Sequence, residues 1–270
     1  TASDGANYDQ LGGDNNSRGL AISKDGTYII AGARQDDDGG SNHGSAYIYT
    51  GSGASWSQQQ RIAPSSYSGA SNQFGFAVDI NNDGTYCAVS ANRWGSPDVG
   101  KVFIFTRSGS TWSQQAYLQH SDKVYGDEGG RGHSVHLSDD GEYLIYGTYR
   151  KPYATANGAA YIFLRTGTSW AQQAKLVSSD LANNDQFGYA CRLTGGGDRA
   201  IIGAPQEGDT GTALNGAVYV FSRSGTTWSQ TKKLIASDKA TYDKLGFSVG
   251  TSDTAGHIVA GAPFDDFEDA

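Results

Sequence analysis

Methionine is absent from the 270 residues, position 1 included, and cysteine nearly so, with two. A nascent chain begins with methionine, so the sequence reads as a processed mature protein or an interior segment of a longer one. Two thiols cannot form the disulfide framework of a small secreted scaffold. Cys87 and Cys191 stand at apolar strand positions and are expected to be buried and unpaired. Proline is scarce at 5 while glycine reaches 38, which signals turn-dense folded structure and not a disordered Pro/Gly chain. No segment has helical periodicity, so a phosphate loop feeding a helix is excluded. No segment is apolar and long enough for a spanning helix, so membrane insertion is not expected. Basic residues are the minority, 20 against 28 acidic ones, which disfavours nucleic acid as a partner.

What fills the chain is repetition. "GAVYVFSRSGTTWSQTKKL" (216–234) rewrites "GAAYIFLRTGTSWAQQAKL" (158–176). Trp56, Trp112, Trp170 and Trp228 recur at intervals of 56, 58 and 58 residues. A second marker, Gly19, Gly75, Gly132, Gly188 and Gly246, keeps the same step. A period of this length means one supersecondary module per repeat, stacked on its neighbours.

Within a unit, apolar/polar alternation is cut by turn signals. "RGLAISKDGTYIIAGA" (18–33) reads as two short strands around an Asp-Gly turn, and a second hairpin follows through Gly51-Ser52-Gly53. Four short antiparallel strands per repeat predict an all-β fold, a β-propeller of about five four-stranded blades. One domain over 1–270 is expected, with units near 18–73, 74–130, 131–186, 187–244 and a partial one at 245–270. The periodic tryptophans are expected in the core or between blades.

Phe74-Gly75 and Phe187-Gly188, with Gly203-Ala204-Pro205 and Gly261-Ala262-Pro263, resemble the motifs of FG-GAP repeats, the modules of the integrin α-subunit head and of many secreted or surface proteins. The first and third units are looser, with Arg18-Gly19 and Arg131-Gly132 in place of Phe-Gly. The resemblance implies an extracellular or cell-surface propeller used for adhesion, ligand binding or scaffolding, and in integrin-type members strengthened by calcium.

An integrin-type calcium loop resembles D-x-[DN]-x-D-G-x-x-D. Only Asp79, Asn81, Asp83 and Gly84 fit its first half, and Cys87 stands where the last carboxylate would be. The alternative reading of these residues is an Asx-stabilised hairpin turn. Asp36, Asp37 and Asp38 make a further oxygen-rich loop. Calcium is therefore an admissible ion and not a required cofactor.

In a propeller, the loops between blades and those between the second and third strands of each blade share one face. Most of the acidic residues fall in these loops, so that face should attract cations or basic partners. Asp4/Asp9, Asp122/Asp127, Asp180/Asp185 and Asp238/Asp243 keep a D-x4-D spacing there, and the second unit substitutes Tyr67 and Asn72. Such aspartates either accept backbone N–H bonds and hold the loop or form a cation site at each blade junction. Outside the tryptophan register, Arg93 and Trp94 in one loop, with Tyr149, Arg150 and Tyr153 in the next, are candidates for binding a glycan or protein ligand. The alternative is that these aromatics cap the loops beneath them. Asn15-Asn16-Ser17 is a glycosylation sequon at Asn15.

Catalysis is not expected. The five histidines fall at unrelated repeat positions, and His133 and His136 point to opposite faces of a strand. The sequence thus predicts a non-catalytic binding or adhesion module. The alternative is a structural subunit of an extracellular filament or sheath. The fifth unit has two strands within this segment, and its open edge could be completed by a neighbouring molecule through self-association.

Overall fold

The computed structural model describes residues 9–13, 17–38, 40–67, 71–95, 98–152, 154–180, 182–208 and 214–265. Each repeat folds into one antiparallel sheet with its strands in chain order. The first sheet holds β1 (Leu20–Ile22), β2 (Tyr28–Ala33), β3 (Ser45–Ser52) and β4 (Ser55–Ile62). The second holds β5 (Phe74–Ile80), β6 (Tyr86–Ala91), β7 (Lys101–Ser108) and β8 (Thr111–Leu118). The third holds β9 (Val135–Leu137), β10 (Tyr143–Gly147), β11 (Ala160–Thr166) and β12 (Ser169–Leu176). The fourth holds β13 (Ala190–Leu193), β14 (Arg199–Ala204), β15 (Ala217–Ser224) and β16 (Thr227–Leu234). The fifth has two strands among the described residues, β17 (Ser248–Thr251) and β18 (Ile258–Gly261). The architecture is an all-β array of propeller blades.

Alternation along each strand gives every sheet two faces, and the core lies between successive sheets. Ala21, Ile30 and Ile48 of the first sheet pack with Phe74, Val78 and Phe105 of the second. Ile145 and Ile162 of the third meet Phe187 and Cys191 of the fourth. Cys87 and Cys191 are both buried free thiols, as their apolar strand positions imply.

The recurring glycines have a steric cause. A Cβ on Gly203 would lie 1.9 Å from the carbonyl oxygen of Gly246, whose φ is +90°, so neither position admits a side chain. Gly32 with Gly75 and Gly147 with Gly188 repeat the contact. At the junction of the second and third blades Ser90 stands in for the first glycine and faces Gly130, which accounts for the looser Arg131-Gly132 text of the third unit.

Two further devices join successive blades. The pairing of third and fourth strands slips by one residue at the same place in every complete sheet, after Ile48, Ile104, Ile162 and Val220. The bulge presents an extra residue to the next blade. Gln59 thereby accepts the indole N–H of Trp112 at 3.0 Å, Gln115 that of Trp170 at 3.1 Å and Gln173 that of Trp228 at 2.8 Å. The second device is cationic: Arg107, Arg165 and Arg223 stack over Tyr28, Tyr86 and Tyr143 of the preceding blade at 4.4–4.5 Å.

Both devices stop at the first and fourth blades. Trp56 donates to the carbonyl of Gly53 in its own turn, and Gly51 stands opposite it where later blades carry the arginine. In the fourth blade the tyrosine position is Arg199 and the bulge residue is Thr231, which bonds back to Val220. At the seam between the first and fifth blades, Leu20 and Ile22 of β1 are 56% and 54% exposed, and Val259 of β18 is 71% exposed.

Around the axis the first hairpins are linked by backbone bonds, Lys24 N to Asn82 O, Asn82 N to Asp139 O, Asp139 N to Gly195 O and Gly195 N to Asp253 O. The Lys24 ammonium crosses to Asp139 at 3.3 Å and also pairs with Asp253, tying the first blade to the third and fifth.

Candidate functional site

On the face formed by the inter-blade loops and the β2–β3, β6–β7, β10–β11 and β14–β15 loops, Asp36, Trp94, Lys151 and Glu207 occupy one repeated position. Each donates its N–H to the carbonyl three residues earlier (Ala33, Ala91, Thr148, Ala204). Each accepts from the glycine that closes its loop (Gly44, Gly100, Gly158, Gly216). All four side chains are turned inward, with Trp94 only 5% exposed. Trp94 therefore does not stand in solvent as a recognition platform. Its ring packs 4.8 Å from Phe103 and 6.3 Å from Tyr67, with the Lys101 ammonium 5.4 Å away.

Each of these residues plugs into a cluster built on the third and fourth strands. In the first blade Asp36 accepts from Tyr47 at 2.8 Å, from Ser45 and from Arg61 at 3.2 Å. Burial pushes this carboxyl up, and those donors with the Asp38 N–H outweigh it and hold it below its ordinary value. In the third blade Lys151 donates to Asp127 at 2.7 Å, while Asp122 accepts from Tyr161 and Lys175, both at 2.7 Å. In the fourth, Lys233 bridges Asp180 and Glu207, each at 2.7 Å. In the second blade the same positions are Trp94, Phe103, Tyr117 and Tyr67, an aromatic set in place of an ionic one. The D-x4-D spacing is structural too: Asp127, Asp185 and Asp243 accept the N–H of Val124, Ala182 and Ala240.

Two of these equivalent aspartates titrate in opposite directions. Burial raises both, but the Asp127 carboxyl faces His120 and Lys151 and is held below its ordinary value. Asp185 faces Glu207 and Asp180, and burial with those like charges raises it to about 6.

The remaining sequence candidates divide. Tyr149 is buried, its ring 5.0 Å from that of Tyr189. Arg150 pairs with Glu128 at 3.2 Å. Arg93 is exposed. Tyr153 and Asn15 lie outside the described residues. The oxygen ligands proposed for calcium do not converge. Asn81 accepts from the Thr85 and Tyr86 N–H groups at 2.9 and 2.8 Å, and Asp83 accepts from Thr85. That is the Asx-stabilised turn. Asp79 points instead to the axis and Arg18. Asp37 accepts the Asn42 N–H at 2.6 Å, and the Arg61 guanidinium stands by Asp36 and Asp38 where a cation would sit. Among the described residues no three His, Cys, Asp or Glu side chains are placed to hold a metal ion.

What this face does present is tyrosine in the inter-blade loops: Tyr125 and Tyr242 are 63% and 57% exposed, and Val124 is 48% exposed. Tyr242 follows Asp238 at the same offset as Gly126 follows Asp122 and Asn184 follows Asp180. The position demands a left-handed backbone, with φ of 73° at Gly126, 69° at Asn184 and 77° at Tyr242. Glycine and asparagine adopt it readily, whereas a bulky residue is strained there. In the sequence the position reads Tyr8, Ser71, Gly126, Asn184 and Tyr242 along the repeats, and Ser71 too has a left-handed backbone, with φ of 60°.

At the axis, Ala21, Asp79, His136, Arg192 and Gly250 occupy the middle of the five innermost strands, paired with Ile30, Ala88, Ile145, Ile201 and Val259. Asp79 accepts from Arg18 at 3.0 Å and from the Leu137 N–H at 2.7 Å. Burial pushes its carboxyl up, and the Arg18 and Arg192 guanidinium groups with the Leu137 N–H hold it below its ordinary value.

A family model described as FG-GAP repeat matches residues 1–49, 170–221 and 228–270, together more than half of the chain. None of the curated proteins matches it. The second unit, though it carries Phe74-Gly75, lies outside the matched stretches. Gly203, Gly246 and Gly32, which make the backbone-to-backbone contacts between blades, lie inside them.

Proposed function

The chain belongs to the FG-GAP repeat family, and from that premise we propose that it is a non-catalytic extracellular or cell-surface module binding a protein or glycan ligand on its inter-blade loop face. FG-GAP repeats occur in extracellular and surface proteins, and propellers of this family are generally non-catalytic. No helix among the described residues is long and apolar enough to cross a membrane. The observation that carries the reading is Tyr242, an exposed aromatic held in a left-handed backbone where the loops before the second, third and fourth blades use Ser71, Gly126 and Asn184. Strain kept at an exposed ring serves something other than the fold. The module requires no resident metal on this reading, because Asp36, Asp79 and Asp83 are already engaged by protein donors.

Tyr242→Gly tests it, because it removes ring and strain together. The variant is expected to gain about 1 kcal/mol of stability and to lose binding to an immobilised panel of oligosaccharides and extracellular-matrix proteins. Binding that survives the substitution, or a wild-type chain that binds no member of the panel, would remove this face from consideration.

A second reading is self-association, favoured by the apolar seam of Leu20, Ile22 and Val259. Completion of the fifth blade by a neighbour's hairpin would meet Arg199 and Thr231 where the internal junctions offer tyrosine and glutamine.

A further inference from the structure

The axial ring holds a group that the fold leaves unserved. His136 Nδ1 accepts the Leu193 N–H at 3.1 Å, which leaves the ring hydrogen on Nε2. That Nε2 is 3.9 Å from the nearer Asp79 oxygen, beyond hydrogen-bond reach. Burial and the neighbouring guanidinium groups, against the pull of Asp79, lower the imidazole to about 3 and keep it neutral. Arg192 is 4.0 Å from Asp79, again too far for a hydrogen bond, and its guanidinium makes none among the described residues. Burial and repulsion from Arg18, partly offset by Asp79, lower it to about 10, so it remains charged at neutral pH.

These unused donors line a hollow of about 260 Å³ together with Gly250, Thr251 and Ser252. The hollow exists because the fifth ring position is glycine: a Cβ on Gly250 would meet nothing within 4 Å. Its volume lies below the roughly 300–1,000 Å³ of sites for drug-sized ligands, and a second hollow of about 370 Å³ on the Arg18 and Asp79 side shares His136, Asp139 and Arg192 with it. The charged lining is Arg192 against Asp139 and Asp253, with Arg18 and Asp79 in the adjoining hollow beyond His136. The two acids at the mouth are 38% and 61% exposed, and solvent and the Lys24 ammonium screen them. The Arg192 side chain is 26% exposed and Asp79 only 5%, so the inner charges are screened less.

We propose that this axial hollow binds one small oxyanion, a carboxylate or an inorganic phosphate or sulfate, between the Arg192 guanidinium and the His136 Nε2–H. The site lies at the hairpin end of the axis, opposite the loop face, and does not depend on the ligand reading given above. A planar fork matches two anion oxygens, and hydrogen bonds to an ionised partner are the stronger kind.

The test is a titration of the ¹⁵N-labelled full chain with sodium acetate, phosphate and sulfate against chloride at constant ionic strength. Saturable shifts are expected at the amides of Gly195, Gly250, Thr251 and Ser252. Preference for acetate would mark a carboxylate ligand, and preference for the inorganic ions a phosphate or sulfate. Arg192→Met should weaken binding about tenfold or more, as loss of hydrogen bonds from a charged donor does. Gly250→Asp, which carries a carboxylate into the same space, should abolish it while leaving the spectrum dispersed and folded. Shifts that do not saturate, or that persist in both variants, would overturn the proposal.

Discussion

Asp185 shows how a repeated residue takes its chemistry from unrepeated neighbours. Its backbone role matches that of Asp127, yet Glu207 stands beside it where the third blade has Lys151. With a folded value near 6 against an ordinary 3.8, the folded chain holds this proton to higher pH than the unfolded chain does. Stability contributed by the protonated form is therefore lost as pH rises from about 4 to about 6. Asp185→Asn keeps an oxygen for the Ala182 N–H and removes the titration. Its urea midpoint is expected to exceed that of the wild type at pH 7 and to match it near pH 4; equal midpoints at pH 7 would show that Lys233 already neutralises the cluster. Asp122 runs the other way. Burial opposes its ionisation, but the hydrogen bonds from Lys175 and Tyr161 hold it at about 2, and its contribution is lost as pH falls below about 4. None of this was legible in the sequence, because Asp36, Trp94, Lys151 and Glu207 share a position without sharing a chemistry. The same disguise made Trp94 look like a loop aromatic set aside for recognition. Only the backbone bonds reveal the equivalence.

At the scale of strands and hairpins the sequence was far more legible. The period kept by both tryptophan and glycine matches the number of sheets, since Trp112, Trp170 and Trp228 bond across three junctions and Gly75, Gly188 and Gly246 meet the preceding blade's backbone at three. The D-x4-D spacing likewise announced a loop clamp. The glutamine partners of Trp112, Trp170 and Trp228 were missed, although "SQQ" and "AQQ" recur in the first three units, because a bulge that re-aims one side chain leaves no mark in an alternation pattern. The relay makes an unequal prediction for equal substitutions. Trp170→Phe removes a donor from a junction and should cost about 1 kcal/mol beyond any packing change. Trp56→Phe, which loses only a bond to its own exposed turn, should cost less. Denaturant midpoints of the two variants compare them directly, and equal losses would mean that the indole bonds contribute nothing between blades.

Over the whole molecule, cohesion is uneven. Internal junctions combine apolar faces, indole bonds and stacked arginines, whereas the seam between the first and fifth blades has the ion pairs of Lys24 and uncovered Leu20, Ile22 and Val259. Ion pairs this exposed contribute little to global stability. Lys24→Met is therefore expected to leave the unfolding midpoint nearly unchanged while speeding amide hydrogen exchange in β17 and β18. Unchanged exchange there would show that the fifth blade is held by its contact with the fourth alone. Light scattering separates the two functional readings: a monomer near 28.5 kDa in calcium and in EDTA is expected of a self-contained binding module. Growth of mass with concentration would favour the seam as an assembly surface.

The tryptophan-to-glutamine bond also gives the array a direction. An internal unit carries a plug on its leading hairpin and a socket on its trailing bulge, so a duplicated copy of the third unit would arrive with both and fit between its parents. A copy appended after Thr231 would find no socket. Such a ring can gain or lose circumference in whole units from within while its two ends stay as they are, which suits it to growth by internal duplication and gives protein engineers a defined place to splice.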